Sequence, residues 1–119
     1  MSRADRQRLR DILAAIGQIR EYVDFAHAAG AELLPANLIG DAVLYRFVVM
    51  GEAASALSSE VLGRMPDVSW PDVVGMRSIL THEYVRIDWD VVEATVQRDL
   101  TDLETAVRHA LADGESPRR

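Results

Sequence analysis

Apolar residues recur along this chain at three- and four-residue steps for most of its length, a period that admits helices and little else. Leu9, Ile12, Leu13, Ile16, Ile19 and Val23 trace one such face, which predicts a first helix from about Asp5 to Ala29, with Gly30 suited to the position just past its end. A linker containing Pro35 covers Ala31 to Asn37. The last periodic run, Val92, Val96, Leu100, Leu103, Val107 and Leu111, predicts a closing helix started by Asp88 and ended by Gly114. No run alternates in the manner of a strand. The expected fold is all-α, an antiparallel bundle of four to five helices. Residues 1–114 are expected to form one domain, and 115–119 a disordered tail.

Between these helices lies a second one, about Leu38 to Leu57, whose apolar residues cover more than one stripe: Val43, Leu44, Tyr45, Phe47, Val48, Val49, Met50, Ala53, Ala54 and Leu57. A surface that wide is buried on two sides. One side faces the core; the other faces a partner subunit, or else the rest of the same chain. Gly51, Ala53 and Ala54 permit close approach of another helix. A short helix is expected at Ser59 to Arg64. Ser69-Trp70-Pro71-Asp72 then reads as a helix start, with Ser69 as N-cap and Asp72 reaching back as in a capping box. That helix is expected to continue to about Tyr84.

Composition narrows the function. There is no cysteine, so disulfide and thiolate chemistry are excluded. No stretch approaches the roughly 20 uncharged residues of a membrane span, and the charged N-terminus carries no apolar leader, so a cytoplasmic domain is expected. All 13 basic residues are arginine, and the net charge is −6. A broad basic face for nucleic acid is therefore not expected; any RNA chemistry must rest on a local positive site.

The fourth helix carries the candidates. If it is a regular α-helix, Arg77, Thr81 and Tyr84 share one stripe, with Ser78 and His82 on the next. Five residues of separation turn Arg77 and His82 about 140° apart, so the two border one polar cleft only at the helix end or with a second copy across a twofold axis. An arginine and a histidine without metal ligands suit metal-free RNA cleavage. The imidazole acts as base on the ribose 2′-hydroxyl or as acid on the leaving oxygen. The guanidinium holds the phosphate and stabilises its developing charge. A histidine beside a tyrosine at a helix end also has a structural reading, packing on a neighbour or capping carbonyls.

The stretch GMRSILTHEYVRID, with Arg77, four residues, His82, one residue and Tyr84, resembles the signature of the HEPN superfamily. More closely, it is similar to the HepT-like toxins paired with minimal nucleotidyltransferases. RLRDILAAIGQIREY resembles the first helix of that family, DAVLYRFVVMGEAASAL its second with Gly51-Glu52-Ala53, and Val96 to Leu100 its closing helix. The resemblance implies a homodimeric HEPN-like bundle whose paired motifs cleave RNA, with Arg77 and His82 catalytic and no cofactor. It also implies a nucleotidyltransferase antitoxin that transfers AMP to Tyr84; unmodified, Tyr84 positions substrate. Ser78 and Thr81 are supporting residues. The family usually carries asparagine where this chain has Ser78, whose shorter side chain orients His82 less firmly. A non-catalytic subunit that docks the nucleotidyltransferase is the alternative.

His82-Glu83 opens like a zinc-protease motif, but position 86 is Arg86 rather than histidine, and no metal site is expected. His27 and His109, near helix ends, have surface or dipole roles. Glu52 is either a buried partner for Arg77 or Arg46, or an exposed gap in the apolar stripe.

Overall fold

The computed structural model describes residues 1–30, 38–78 and 86–115. Those residues fold as helices joined by turns, as the apolar period requires. Helix α1 spans Arg3–Ala28, α2 Leu38–Ser55, α3 Ser59–Gly63, α4 Trp70–Gly75, α5 Trp89–Ala94 and α6 Leu100–Glu115.

Helix α1 begins two residues earlier than the apolar pattern alone suggests, because Ser2 caps it: its hydroxyl accepts from the backbone N–H of Asp5 at 3.0 Å. It ends at Gly30, whose φ of 69° is the left-handed conformation glycine adopts without steric cost. Its apolar stripe, Leu9, Ile12, Ile16, Ile19 and Val23, is fully buried. Each such side chain contributes about 1.5–3 kcal/mol relative to exposure. At the far end of the bundle Asp5 is also buried. Its carboxylate accepts from the Ser58 backbone N–H at 3.0 Å and from the Ser58 hydroxyl at 2.7 Å. Burial opposes its ionisation, but these hydrogen bonds, Ser2 and the nearby N-terminal ammonium outweigh that and hold its pKa below the ordinary aspartate value. Ser58 in turn caps α3, so one aspartate ties the start of α1 to the start of α3.

Helix α2 is central. It packs on α1 along one side and on α4 and the turn that follows along the other. Part of its apolar breadth is thus covered within the chain: Ala53 and Ala54 lie in the core, and Gly51 meets residues 74 and 77, while Val48 and Val49 stay half-buried and Tyr45 exposed. The small residues serve contacts within the subunit, and a partner is not needed to explain them.

Two expected continuous helices are not continuous. The fourth is α-helical only to Gly75, after which Met76–Ser78 tighten into a 3-10 turn. Residues 79–85, with the rest of that expected helix, lie outside the described residues. At its start Ser69 donates to the Asp72 carboxylate at 2.8 Å, and its side chain makes no hydrogen bond to the backbone, so the capping box is replaced by a side-chain pair. The closing helix starts as expected on Asp88, whose carboxylate accepts from the N–H groups of Asp90 and Val91. A π-helical turn over Thr95–Asp99 then divides it. Helix α6 continues through Glu115, so Gly114 lies within it. Arg20 fastens α6 to α1, donating to Glu104 at 2.7 Å and to the Thr101 hydroxyl at 3.0 Å.

Candidate functional site

Arg77 sits in the middle of the 3-10 turn, and its position is set by Gly51 of α2. A Cβ built on Gly51 would lie 2.8 Å from the Arg77 nitrogen and 3.1 Å from its Cβ, and 3.1 Å from the Val74 carbonyl oxygen. Only the absence of a side chain lets the two backbones come this close. On the core side Val73 and Trp70 are buried and anchor the approach to the turn. The result is a rigid base under a solvent-facing guanidinium.

The next residue of α2 supplies the partner. Glu52 Oε1 lies 4.0 Å from Arg77 Nη1, with the two side chains 63% and 45% exposed. Of the two readings of Glu52, the arginine it meets is Arg77, and the residue is exposed rather than buried. A pair this long between solvated groups holds Arg77 weakly. Among the described residues Glu52 is the carboxylate that meets this guanidinium. Arg46, the other candidate, lies instead over the ring of Tyr45, 5.4 Å from its centroid.

Ser78, beside Arg77, is exposed at the end of the 3-10 turn. Thr81, His82 and Tyr84 lie outside the described residues, so the relation of His82 and Tyr84 to Arg77 remains the sequence's expectation. The 3-10 turn nevertheless changes one premise. A period of 3.6 residues cannot be carried through Arg77, since a 3-10 turn advances about 120° per residue. The stripe of Arg77, Thr81 and Tyr84 expected for a regular helix therefore does not start from a regular helical position.

His27 and His109 behave as expected of surface groups. His27 Nε2 is 3.1 Å from Glu93 and joins the end of α1 to α5, while His109 is exposed on α6. Trp70 is buried and Trp89 half-buried; among the described residues neither indole nitrogen has a hydrogen-bond partner. Sequence reasoning missed the Gly51–Arg77 contact. The Gly51-Glu52-Ala53 triplet was its only signal, and nothing local says which segment such a glycine meets.

The described fold and turn thus define an all-helical protein that presents one loosely held arginine from a tight turn braced on its central helix. The ribonuclease HepT-like family matches residues 12–110, and the chain belongs to that family. The HEPN-type resemblance therefore holds across nearly the whole chain. Among its relatives, a Methanocaldococcus jannaschii protein named "Putative RNase" is 28% identical over 102 residues, covering 83% of this chain and 89% of that one. A second, of the same name, from Caldanaerobacter subterraneus subsp. tengcongensis, is 31% identical over 80 residues, covering 63% and 71%. The "Probable ribonuclease HepT" of Thermococcus cleftensis is 27% identical over 104 residues, covering 87% and 93%. No solved structure matches the chain.

Proposed function

We propose that this chain is a metal-independent endoribonuclease toxin, acting in the cytoplasm and neutralised by a nucleotidyltransferase antitoxin that transfers AMP to Tyr84. The observation that carries the reading is Arg77: a solvent-facing guanidinium on a turn braced by Gly51, loosely paired to Glu52, in a chain whose family and relatives are named for ribonuclease activity.

In the reaction, Arg77 binds the scissile phosphate in place of Glu52 and stabilises charge on its non-bridging oxygens. His82 takes the proton of the ribose 2′-hydroxyl or gives one to the departing 5′-oxygen. The 2′-oxygen attacks phosphorus, the P–O5′ bond breaks, and the first products are a 2′,3′-cyclic phosphate and a 5′-hydroxyl. Since the substrate supplies its own nucleophile, DNA is not cut. Two copies of the chain pair so that each site draws on both. Among the described residues Phe25, Leu38 and Val91 are 66, 86 and 60% exposed, at the end of the bundle where α1 stops and α2 begins. They offer an apolar surface for that pairing. In neutralisation, the phenol oxygen of Tyr84 attacks the α-phosphorus of ATP and displaces pyrophosphate, with loss of the phenolic proton. The added phosphate then competes for Arg77 and repels RNA.

The test is cleavage of a single-stranded RNA by purified protein in EDTA. Wild type is expected to cut it, leaving the DNA analogue and a 2′-O-methyl RNA intact, while Arg77→Ala and His82→Ala fall by at least about 100-fold. If His82→Ala matches wild type in rate and in harmlessness to cells, the chain is a non-catalytic subunit that docks the nucleotidyltransferase. Phe25→Asp with Val91→Asp should lower the mass in light scattering from two chains to one. For the modification, intact mass after incubation with the partner and ATP should rise by AMP units in wild type and not in Tyr84→Phe.

A further inference from the structure

Besides Arg77, helix α2 offers a second feature that the catalytic reading leaves unused. Tyr45 is an aromatic ring 55% exposed on that helix. It lines a groove of about 470 Å³ between α1 and α2, together with Arg8 on one rim and the half-buried Val48 and Val49 on its floor. Glu52 lines the same groove and is the residue that meets Arg77, so the groove and the guanidinium are adjoining parts of one surface.

We propose that this groove is a subsite for an unpaired nucleobase of the RNA, stacked on Tyr45 with the adjoining phosphate held by Arg8; the inference rests on the ribonuclease reading above. Its chemistry fits a base better than other ligands. Unpaired bases bind by stacking on exposed aromatic rings and arginine planes. The guanidinium of Arg46 already lies over the Tyr45 ring, so the ring already stacks with a planar cation, and a base would share or replace that contact. The groove has two carboxylates of its own, Asp11, which accepts from Gln7 at 2.9 Å and lies 3.9 Å from Arg8, and Glu52, 4.0 Å from Arg77. By contrast, the groove between α4 and α6 is edged by Asp67, Asp72, Asp99 and Asp102, which repel a phosphodiester. In a chain of net charge −6, four of the 13 arginines fall within the first ten residues, and Arg8 brings that local positive charge to the Tyr45 groove.

The experiment measures binding of a fluorescein-labelled, all-2′-O-methyl oligoribonucleotide to the full chain by anisotropy, and in parallel the cleavage kinetics of the unmodified RNA. Tyr45→Ala should weaken binding about five- to hundredfold, with Tyr45→Phe close to wild type. Arg8→Ala should weaken it and lower the slope of log affinity against log salt by roughly 0.7. In cleavage, KM should rise more than kcat falls. Unchanged oligonucleotide affinity in Tyr45→Ala overturns the subsite even where wild type cleaves RNA. Tyr45-dependent binding in a protein that cleaves nothing upholds the subsite and sinks the catalytic reading instead. A change of mass in light scattering on Tyr45→Ala, with affinity falling only in step with it, assigns the face to another copy of the chain and also overturns the proposal.

Discussion

Replacing Gly51 by alanine tests the step on which the site's geometry depends. The new Cβ would stand 2.8 Å from the Arg77 nitrogen, about 0.6 Å inside ordinary van der Waals contact at 3.4 Å. The obstacle is backbone on both sides, with the Val74 oxygen also at 3.1 Å, so no side chain can swing away. Either α2 or the 3-10 turn must move by several tenths of an ångström. Overpacking of this kind costs about 1–3 kcal/mol. Alanine returns about 0.8–1 kcal/mol of helix propensity over glycine, so the net destabilisation is expected at about 0–2 kcal/mol. The effect on function should be the larger one, because a 1 Å misplacement of a catalytic group can cost roughly 100-fold. The control is Gly17→Ala in α1, where the added Cβ meets nothing within 4 Å and stability should rise by about 0.5–1 kcal/mol. Urea denaturation and RNA cleavage of the two variants, side by side, decide the matter. If Gly51→Ala gains as much stability as Gly17→Ala and keeps full activity, the bracing of Arg77 by α2 is not what fixes the site.

Glu52→Gln removes the carboxylate that competes with phosphate for Arg77; RNA affinity should rise a few-fold, with stability changed by less than about 1 kcal/mol because the pair is exposed, as read by anisotropy and urea melts. Asp5→Asn should destabilise the protein at pH 7. Because the folded pKa of Asp5 is lowered, its ionised form stabilises the fold fully above the ordinary aspartate range, and that contribution is lost as pH falls through the folded value. Wild type and Asp5→Asn should therefore converge in acid melts below the ordinary aspartate pKa; a gap that is constant with pH would assign the effect to shape alone. Arg20→Ala should cost about 0.5–1 kcal/mol by releasing α6 from α1, measured by urea denaturation.

The bundle was legible in the sequence because helical periodicity is a local property. The stripe from Leu9 to Val23 declares its own helix, and Asp88 and Gly30 mark ends with groups that act within a few residues. The irregularities were less visible. The widened turn at Thr95–Asp99 had no marker in the seam, since the pair of four-residue steps from Val92 to Leu100 recurs from Leu103 to Leu111 within a regular helix. The tightening at Met76–Ser78 had no sequence signal, since it answers to a contact with α2. The role of Asp5 had no local signal either, because its main partner, Ser58, is 53 positions away.

What the sequence by itself determined was the helical class and the family; from it also comes the expectation that the chemistry turns on Arg77, His82 and Tyr84. What only the tertiary structure decided was the setting of Arg77: that Gly51 admits its backbone, that Glu52 stands 4.0 Å away in solvent, and that Tyr45 faces a groove beside it. The reason is one of range. Periodicity, capping and motif spacing act between residues a few positions apart, whereas the meeting of positions 51 and 77 exists only after the chain has packed two helices against each other.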